Sequence, residues 1–494
     1  MVVDEAPAFF EEVFFEELVA FFDVAFFDVA FFDDAFFDVA FFDAAFLVLA
    51  FFDVFPAVFF VEAIQILLPT EGFGRHFPYC FRLARVNRRW RELAPLVAAG
   101  VLVAAIAFIG SKHFPTSAYL GATDVWFEGD LRRVYSNMVD RQSDHYRSKV
   151  HPLFSIVAYV MTWVPRRALS IDPVLSVRLV GAAMAFVWGL LLFLLLRAVT
   201  RSPWSALLLT LLGAVSASFV FWATVPETYI FGSASILFAL LAATHSGGQA
   251  ILPVHRLQGD RQDCLSSTTT AAIAATLAFT VTNVMAGLAT AIATLPWRRA
   301  LQAAANALCI VVLLWGVQKY IIPSTQFFIG DKEEKDYMFR LDAARVASVA
   351  RSFVVTSMVM PTPTRETRYY QPEAILFTQR SPVSAWPAVV FWLALLLLGC
   401  IGLRAAPELR ALRIALLLTL AGQFVLHVVY GEETFLYSLH FAPLLVVLAA
   451  FAFRTRWKVV AYVLAAVLLV TAAMNNAREF NAARSYAATP SAAR

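Results

Sequence analysis

The chain has 494 residues, of which 60% are hydrophobic and only 15% are charged, and its formal net charge is +3. Such a composition is typical of an integral membrane protein and excludes an ordinary water-soluble domain. The basic residues fall in short clusters between apolar runs, without a basic face that carries interleaved aromatics. Nucleic acid is therefore not an expected partner, whereas a lipid bilayer is.

Residues 1–80 contain a five-residue repeat, Phe-Phe-Asp-Val-Ala, that runs from about residue 9 to residue 60. A period of five matches neither a helix nor a strand, so no amphipathic face forms. A membrane span is also excluded, because each recurring acid would cost roughly 2.5 to 3.5 kcal/mol near the bilayer centre. We predict that residues 1–80 are a low-complexity leader, either disordered or spuriously translated, and that the fold follows it.

The apolar runs that follow predict an all-α polytopic membrane protein, because a spanning helix needs about 20 mostly apolar residues. About eleven transmembrane helices are expected. They lie near Leu93–Ile109, Val174–Leu196, Trp204–Trp222, Tyr229–Thr244, Ala271–Thr282, Val284–Leu295, Leu301–Ile322, Trp386–Leu403, Arg413–Tyr430, Ser438–Phe453 and Val459–Ala473.

With the N-terminus in the cytoplasm, the short basic loops between these runs all fall on the cytoplasmic side, as the positive-inside rule requires. This orientation predicts a bacterial-type inner (plasma) membrane protein with an external C-terminus. The chain then divides into a membrane core at residues 81–322, an external loop at 323–385, and C-terminal membrane helices and tail at 386–494. The orientation requires "TVTN", Thr280–Asn283, to be a turn between two short helices.

The first external loop, residues 111–173, holds a dense run of acids, bases and histidines, "DVWFEGDLRRVYSNMVDRQSDHYRSKVHPLF". The loop continues with "HPLFSIVAYVMTWVP", His151–Pro165, which is short for a span and precedes two arginines. It predicts an amphipathic helix that lies against the external membrane face.

Polar groups on one side of a lipid-embedded bundle indicate a functional site, because they are costly to bury without use. Acids and cations together at a membrane favour transfer from a lipid-linked phosphate. A carboxylate can take the proton of an acceptor hydroxyl, and cations can hold the departing phosphate. The candidates for the base are Asp124 and Asp130, and those for phosphate binding are Arg147, Lys149 and His151.

Further site candidates lie on the same external side: Asp144, His145, Glu227, Asn283, Glu432, Glu433, Tyr437 and His440. Alternative interpretations remain for some of them. The spacing of Asp140 and Asp144 predicts a solvated charged face of a helix, and Glu227 could cap the helix that follows it. In the long external loop, Tyr337, Tyr369 and Tyr370 could shape a groove for an acceptor.

A first membrane helix, an external loop that opens with "DVWFEGD" and closes with "KVHPLF", and an apolar helix entered from outside resemble the GT-C glycosyltransferases. That class includes protein O-mannosyltransferases and aminoarabinose transferases. The resemblance covers Leu93 to about Asn283 and implies a GT-C-like fold, a sugar donor linked to polyprenyl phosphate, and a catalytic acid in the first external loop. By position, this acid is Asp124, with Asp130 next, and the His-Pro stretch begins at His151.

The sequence therefore predicts a glycosyltransferase that moves a sugar from polyprenyl phosphate to an acceptor of open class on the external face. Inversion is expected, because one carboxylate base and a single displacement suffice. No cofactor is expected: the four cysteines lie far apart and no pattern requires a metal, although the first-loop acids could bind a divalent cation. The main alternative is a secondary transporter or a flippase for lipid-linked glycans, and a third is a membrane scaffold without chemistry.

Overall fold

The computed structural model describes residues 89–120, 126–244, 258–328, 338, 342–366, 374–377, 382–431 and 433–488. The predicted leader lies outside the described residues. About 82% of the described residues are helical. The helices are α1 (Arg89–His113), α2 (Ser117–Leu120), α3 (Leu131–Val139), α4 (Phe154–Leu169), α5 (Pro173–Thr200), α6 (Pro203–Ala214), α7 (Ala217–Trp222), α8 (Tyr229–Thr244), α9 (Gln258–Phe279), α10 (Val284–Thr294), α11 (Trp297–Ile321), α12 (Ala343–Arg351), α13 (Trp386–Gly402), α14 (Arg410–Val429), α15 (Ser438–Ala450) and α16 (Lys458–Ala488).

Seven helical segments in the described part of the chain are long and apolar enough to cross a membrane. They are Leu93–His113, Pro173–Thr200, Trp297–Ile321, Val383–Ala405, Pro407–Val429, Thr434–Arg454 and Lys458–Ala488. Shorter apolar helices are Pro203–Ala214, Tyr229–Thr244, Leu265–Phe279 and Val281–Thr294. The protein is an all-α integral membrane protein, as the composition predicts.

Helices α8 and α15 form the centre of the bundle, and every residue of both is buried. A chain of hydrogen bonds joins them to α5. Trp188 Nε1 donates to Ser233 Oγ at 2.8 Å, and that hydroxyl donates to the Leu439 carbonyl at 2.6 Å. Such bonds between helices satisfy polar groups that lipid cannot.

Helices α9 and α10 are separated by a 3₁₀ turn, Val281–Asn283, and pack side by side. The packing is close at Gly287, where an added Cβ would lie 2.6 Å from the Ile273 Cα. The predicted turn at Thr280–Asn283 is confirmed as a break between two helices.

The segment predicted as a span at Trp204–Trp222 is not one continuous helix, because the chain breaks between α6 and α7 at Val215 and Ser216. Ser216 begins α7 as its N-cap, since its Oγ accepts from the Phe219 amide at 3.2 Å. A serine side chain that binds the backbone in this way competes with a continuous helix.

Asn476, on α16, satisfies the backbone exposed by this break and by the irregular segment after α12. Its Nδ2 donates to the carbonyls of Val215 and Met358, both at 2.8 Å, and its Oδ1 accepts from the Met360 amide at 2.9 Å. Irregular backbone is tolerated in a membrane bundle where protein groups bind it. We call these contacts the Asn476 clamp.

The connections between helices gather at two ends of the bundle. Three basic loops that the sequence places in the cytoplasm meet at one end, where Arg201 Nη2 lies 2.7 Å from Glu408 Oε1 and Arg454 pairs with the same carboxylate. At the other end the first loop contacts the α9–α10 turn, and the Val281 amide donates to the Val150 carbonyl at 2.9 Å. This second end carries the candidate site.

A short antiparallel sheet, β1 (Pro363–Glu366) paired with β2 (Ala374–Phe377), adds two strands to the expected all-α fold. The sheet contacts the first loop, because the Phe127 amide donates to the Ile375 carbonyl at 3.1 Å. Nearby, Arg345 of α12 donates to the carbonyls of Val428 and Gly431 at 2.7 and 2.6 Å. It thereby supplies hydrogen-bond donors to carbonyls at the C-terminal end of α14, where the helix itself offers no partner.

Candidate functional site

Asp130 follows a tight turn that buried aromatic rings hold in place. The Gly129 amide donates to the Trp126 carbonyl at 2.9 Å, and the two residues between them, Phe127 and Glu128, have φ angles of 48° and 62°. A positive φ costs a non-glycine residue about 1 to 2 kcal/mol, so the surroundings must impose it. The rings of Trp126 and Phe127 are fully buried and pack against aromatic side chains of α7, which fixes the position of Asp130.

Asp130 lies between two arginines. Arg147 Nη2 and Nε lie 2.6 and 2.8 Å from Asp130 Oδ2, and Arg133 Nη1 lies 3.2 Å from Oδ1. Arg133 also donates to the Tyr146 hydroxyl at 2.6 Å, and the Tyr146 ring lies 5.1 Å from Lys149 Nζ. We call these five residues the arginine cluster; because it contains three cations and one carboxylate, it suits an anion such as phosphate.

Arg147 carries a stable positive charge. Burial lowers the pKa of its guanidinium, but the facing Asp130 carboxylate, together with Tyr146, more than offsets that effect, and the pKa lies above its usual value. The Asp130 side chain is 26% exposed. It is therefore both held by a cation and accessible from the solvent.

Glu227, in the connection between α7 and α8, is a buried acid beside the turn. Its side chain is 4% exposed, and its Oε2 accepts from the Thr228 amide at 3.0 Å. Oε1 makes no well-formed hydrogen bond with the described residues and lies against Gly129, where an added Cβ would be 3.1 Å away. Burial, and then the charge of Asp130, raises the pKa of Glu227 to about 8. At neutral pH this side chain is mostly a neutral acid.

His151 is a neutral ring that joins three connections. Its Nδ1 donates to the Phe279 carbonyl at 2.7 Å, and its Nε2 lies 3.3 Å from Thr228 Oγ1. Burial lowers the pKa of His151 to about 4, although the Phe279 carbonyl opposes the shift. The sequence expects a cation at His151 for phosphate binding, and the structure instead has an uncharged imidazole there. The predicted cations that remain are Arg147 and Lys149.

Asn283 and His440 meet at the backbone of α8. A Cβ added to Gly232 would lie 2.6 Å from His440 Nε2 and 2.8 Å from Asn283 Nδ2, so this approach requires glycine. Neither nitrogen has a hydrogen-bond partner among the described residues. Asn283 Oδ1 accepts from Gln423 Nε2 at 3.1 Å.

Tyr437 lies between these buried groups and the arginine cluster. Its ring stacks on His427 with centroids 5.1 Å apart, contacts Tyr229 edge-on at 5.9 Å, and is within electrostatic range of Arg147. His427 is 2% exposed, and in the described structure neither of its ring nitrogens is hydrogen-bonded. We call Asn283, Gln423, His427 and His440 the buried polar group. Predicted candidates from four separate connections thus lie together at one end of the bundle.

The helix predicted across Asp140 and Asp144 is wrong, because α3 ends at Val139. Each aspartate instead accepts from a backbone amide two residues later: Asp140 from Gln142 at 2.8 Å and Asp144 from Tyr146 at 3.0 Å. Aspartate favours such turns over a helix interior. Asp144 is exposed and outside the arginine cluster.

Two further candidates have structural roles here. His145 is fully buried, burial lowers its pKa, and its Nε2 lies 3.0 Å from the Asp140 carbonyl, which closes the turn. Glu433 accepts from the Phe435 amide at 3.2 Å and begins the 3₁₀ turn before α15. These contacts give both residues a structural role that requires no bound substrate.

Asp124, Glu432, Tyr337, Tyr369 and Tyr370 lie outside the described residues, and their roles stay predictions. Within the described ranges, no group of three or more His, Cys, Asp or Glu side chains could hold a metal ion. Of the two candidate bases, Asp130 is therefore the one that the structure describes.

Sequence reasoning missed Arg133, Tyr146, His427 and Gln423. Signals for some of them are present in the chain. Arg133 lies three residues after Asp130 at the start of a helix, where such pairs face each other. Gln423 and His427 lie four apart on an otherwise apolar span, so they share one face, and polar residues in a span mark function by default.

Comparison of the chain with models of protein families and with curated proteins gives no match. Fold and site together define an all-α integral membrane protein with a cationic cluster around one carboxylate at one end of its bundle. Its chemistry must be inferred from those residues.

Proposed function

We propose that the protein is a GT-C-like membrane glycosyltransferase, which transfers a sugar from a polyprenyl-phosphate donor to an acceptor on the external face. The observation that supports this most is the position of Asp130 at one end of a membrane bundle, 2.6 Å from Arg147 and 3.2 Å from Arg133, with Lys149 close to the neighbouring Tyr146 ring. A carboxylate and several cations in one place supply the base and the phosphate-binding groups that such a transfer needs.

In the proposed reaction the acceptor hydroxyl attacks the anomeric carbon as Asp130 takes its proton. The new carbon–oxygen bond forms while the bond from the anomeric carbon to the phosphate oxygen breaks, and the electron pair leaves with the polyprenyl phosphate. Arg147 and Lys149 hold the charge that grows on that phosphate.

Membrane topology belongs to the same proposal. The shorter apolar helices α6, α8, α9 and α10 join the seven long segments as spans and bring the total to eleven. The basic end around Glu408 then faces the cytoplasm of a bacterial-type inner membrane, and the arginine cluster faces outward, with an external C-terminus. Substrate reaches the cluster from the outer leaflet.

Replacement of Asp130 by Asn tests this function. Membrane vesicles that contain the protein are supplied with radiolabelled sugar on polyprenyl phosphate, and the label that leaves the lipid is measured. We expect D130N to lower transfer by roughly 10²- to 10⁴-fold, the usual contribution of a general base. D144N is the matched control, because Asp144 is exposed and its turn contact needs only an accepting oxygen. Full transfer by D130N would exclude Asp130 as the base.

A second candidate function, a transporter, is favoured by one observation. The buried polar group lies on helices that cross or line the membrane, and several of its nitrogens have no partner in the described structure. Polar groups in such positions mark substrate or proton paths. Reconstituted protein that moves polyprenyl-linked sugar across the bilayer without cleaving it, and loses that movement in H440A, would favour this function over transfer.

A further inference from the structure

An open cavity lies between α1, α5 and the α7–α8 connection, next to the arginine cluster but with a different lining. Its empty space, counted together with the solvent at its open mouth, is about 460 Å³. Apolar side chains such as Val177, Ile230 and Phe231 form most of its walls. Its charged and ionisable lining comes from Arg178, Glu227 and Tyr119.

Arg178 lies on the spanning helix α5, and its guanidinium has no counter-ion in the described part of the chain. Its Nη2 donates weakly to the Phe114 carbonyl at 3.4 Å, and it hydrogen-bonds Tyr119, but its buried Nε makes no hydrogen bond to any described residue. No described carboxylate forms an ion pair with it. A cation in a membrane bundle normally faces a partner of opposite charge, so the cavity lacks an anion.

Glu227 is a buried polar residue in the wall of the cavity. Glu227 is only 4% exposed, and its Oε1 makes no well-formed hydrogen bond with the described residues. As a mostly neutral acid it does not cancel the charge of Arg178. It can donate a hydrogen bond to the same anion.

The cavity also offers room for an apolar chain. A Cβ added to Gly181, one turn after Arg178 on α5, would meet no atom within 4 Å. A ligand with its charge at Arg178 therefore has open space for its tail beside Gly181.

We propose that this cavity is a second binding site, distinct from the arginine cluster, for the phosphate head group of an amphiphile. The guanidinium of Arg178 binds the phosphate, the Tyr119 and Glu227 side chains complete its hydrogen bonds, and the apolar walls hold the start of the acyl or prenyl chain. The proposal concerns binding and does not depend on sugar transfer.

Lipid binding to the purified full-length protein in detergent tests the site, with native mass spectrometry as the readout. The probes are phosphatidylglycerol, polyprenyl phosphate, diacylglycerol without phosphate, and inorganic phosphate. We expect at least one of the two anionic lipids to bind with a stoichiometry that R178Q reduces, with an affinity loss of roughly tenfold or more. The tighter of the two identifies the source of the phosphate.

Three variants separate the cavity from its neighbours. G181L fills the space beside Arg178 without meeting an existing atom at its Cβ, and we expect it to weaken lipid binding as R178Q does. R141Q, at an exposed arginine of the first loop, should bind as the wild type does. R147Q should lose only the polyprenyl phosphate that the arginine cluster binds and should keep the lipid that R178Q removes, so the two proposals fail separately.

Several results would overturn the site. Unchanged affinity in R178Q or in G181L, in protein that elutes as the wild type does, contradicts the cavity as the location. Equal binding of diacylglycerol contradicts recognition of phosphate. Equal binding of inorganic phosphate and of the lipids contradicts a site for an amphiphile.

Discussion

Glu227→Gln should remove a pH dependence of stability that the wild-type protein has. The carboxyl group is buried beside Asp130, and its pKa is raised from 4.5 to about 8 by burial and then by that neighbouring charge. Glutamine keeps the shape and the accepting oxygen that binds the Thr228 amide, but it cannot ionise. The substitution thus isolates the cost of the buried charge.

The sign follows from proton binding in the two states. Between pH 4.5 and pH 8 the folded protein keeps the Glu227 proton and the unfolded chain does not, so stability falls as the pH rises. The slope is about 1.4 kcal/mol per pH unit, and over this window the total approaches roughly 5 kcal/mol. Below pH 4.5 the two proteins should be alike in this respect, and above pH 8 the difference should level off.

Thermal unfolding of detergent-solubilised protein between pH 5 and pH 9 measures this difference as a shift in the midpoint temperature. We expect E227Q to gain stability over the wild type from pH 5 to about pH 8 and to gain no more above it. E479Q is the control at a second buried carboxylate, one that Arg478 pairs. Parallel pH profiles for wild type and E227Q would refute the raised pKa and, with it, the neutral acid in the site.

Two other substitutions test the packing of the bundle. N476A should lower the unfolding midpoint clearly, because the Val215 carbonyl and the Met360 amide lose their partner at about 1 to 3 kcal/mol for each unsatisfied group, whereas the Met358 carbonyl keeps the Ala217 amide. A midpoint equal to that of the wild type would contradict the clamp. G402A should destabilise by about 1 to 3 kcal/mol, since its Cβ would meet the backbone of Phe451 at 2.1 and 2.5 Å. G316A, where an added Cβ meets nothing within 4 Å, should be neutral or slightly stabilising, and equal effects of the two glycine substitutions would refute the close helix approach.

Much of the helical framework could be predicted from the sequence, because long apolar runs specify membrane helices almost by length alone. The span predicted at Val174–Leu196 is the core of α5, and the turn at Thr280–Asn283 separates α9 from α10. The break at Val215 could not be found by hydropathy, since the residues around it are uniformly apolar. It depends on Ser216 and on Asn476, which is remote in the chain.

The candidate site was predictable in its location but not in its chemistry. The orientation of basic loops places Asp130, Glu227, Asn283 and His440 on one side of the bundle, and the structure brings them to one end. Their protonation depends on burial and on neighbours, which a sequence does not give. His151 illustrates this, because burial lowers its pKa to about 4 and leaves a neutral ring where a cation was expected.

The Asn476 clamp has a consequence for the order in which the protein is assembled during synthesis. Asn476 is 261 residues beyond Val215 in the chain, so α6 and α7 leave the ribosome well before the residue that binds the carbonyl between them. Until α16 is inserted, a nascent chain keeps that carbonyl and the segment around Met358 without this partner. We therefore expect the break between α6 and α7 to reach its final stability only once α16 has packed against it.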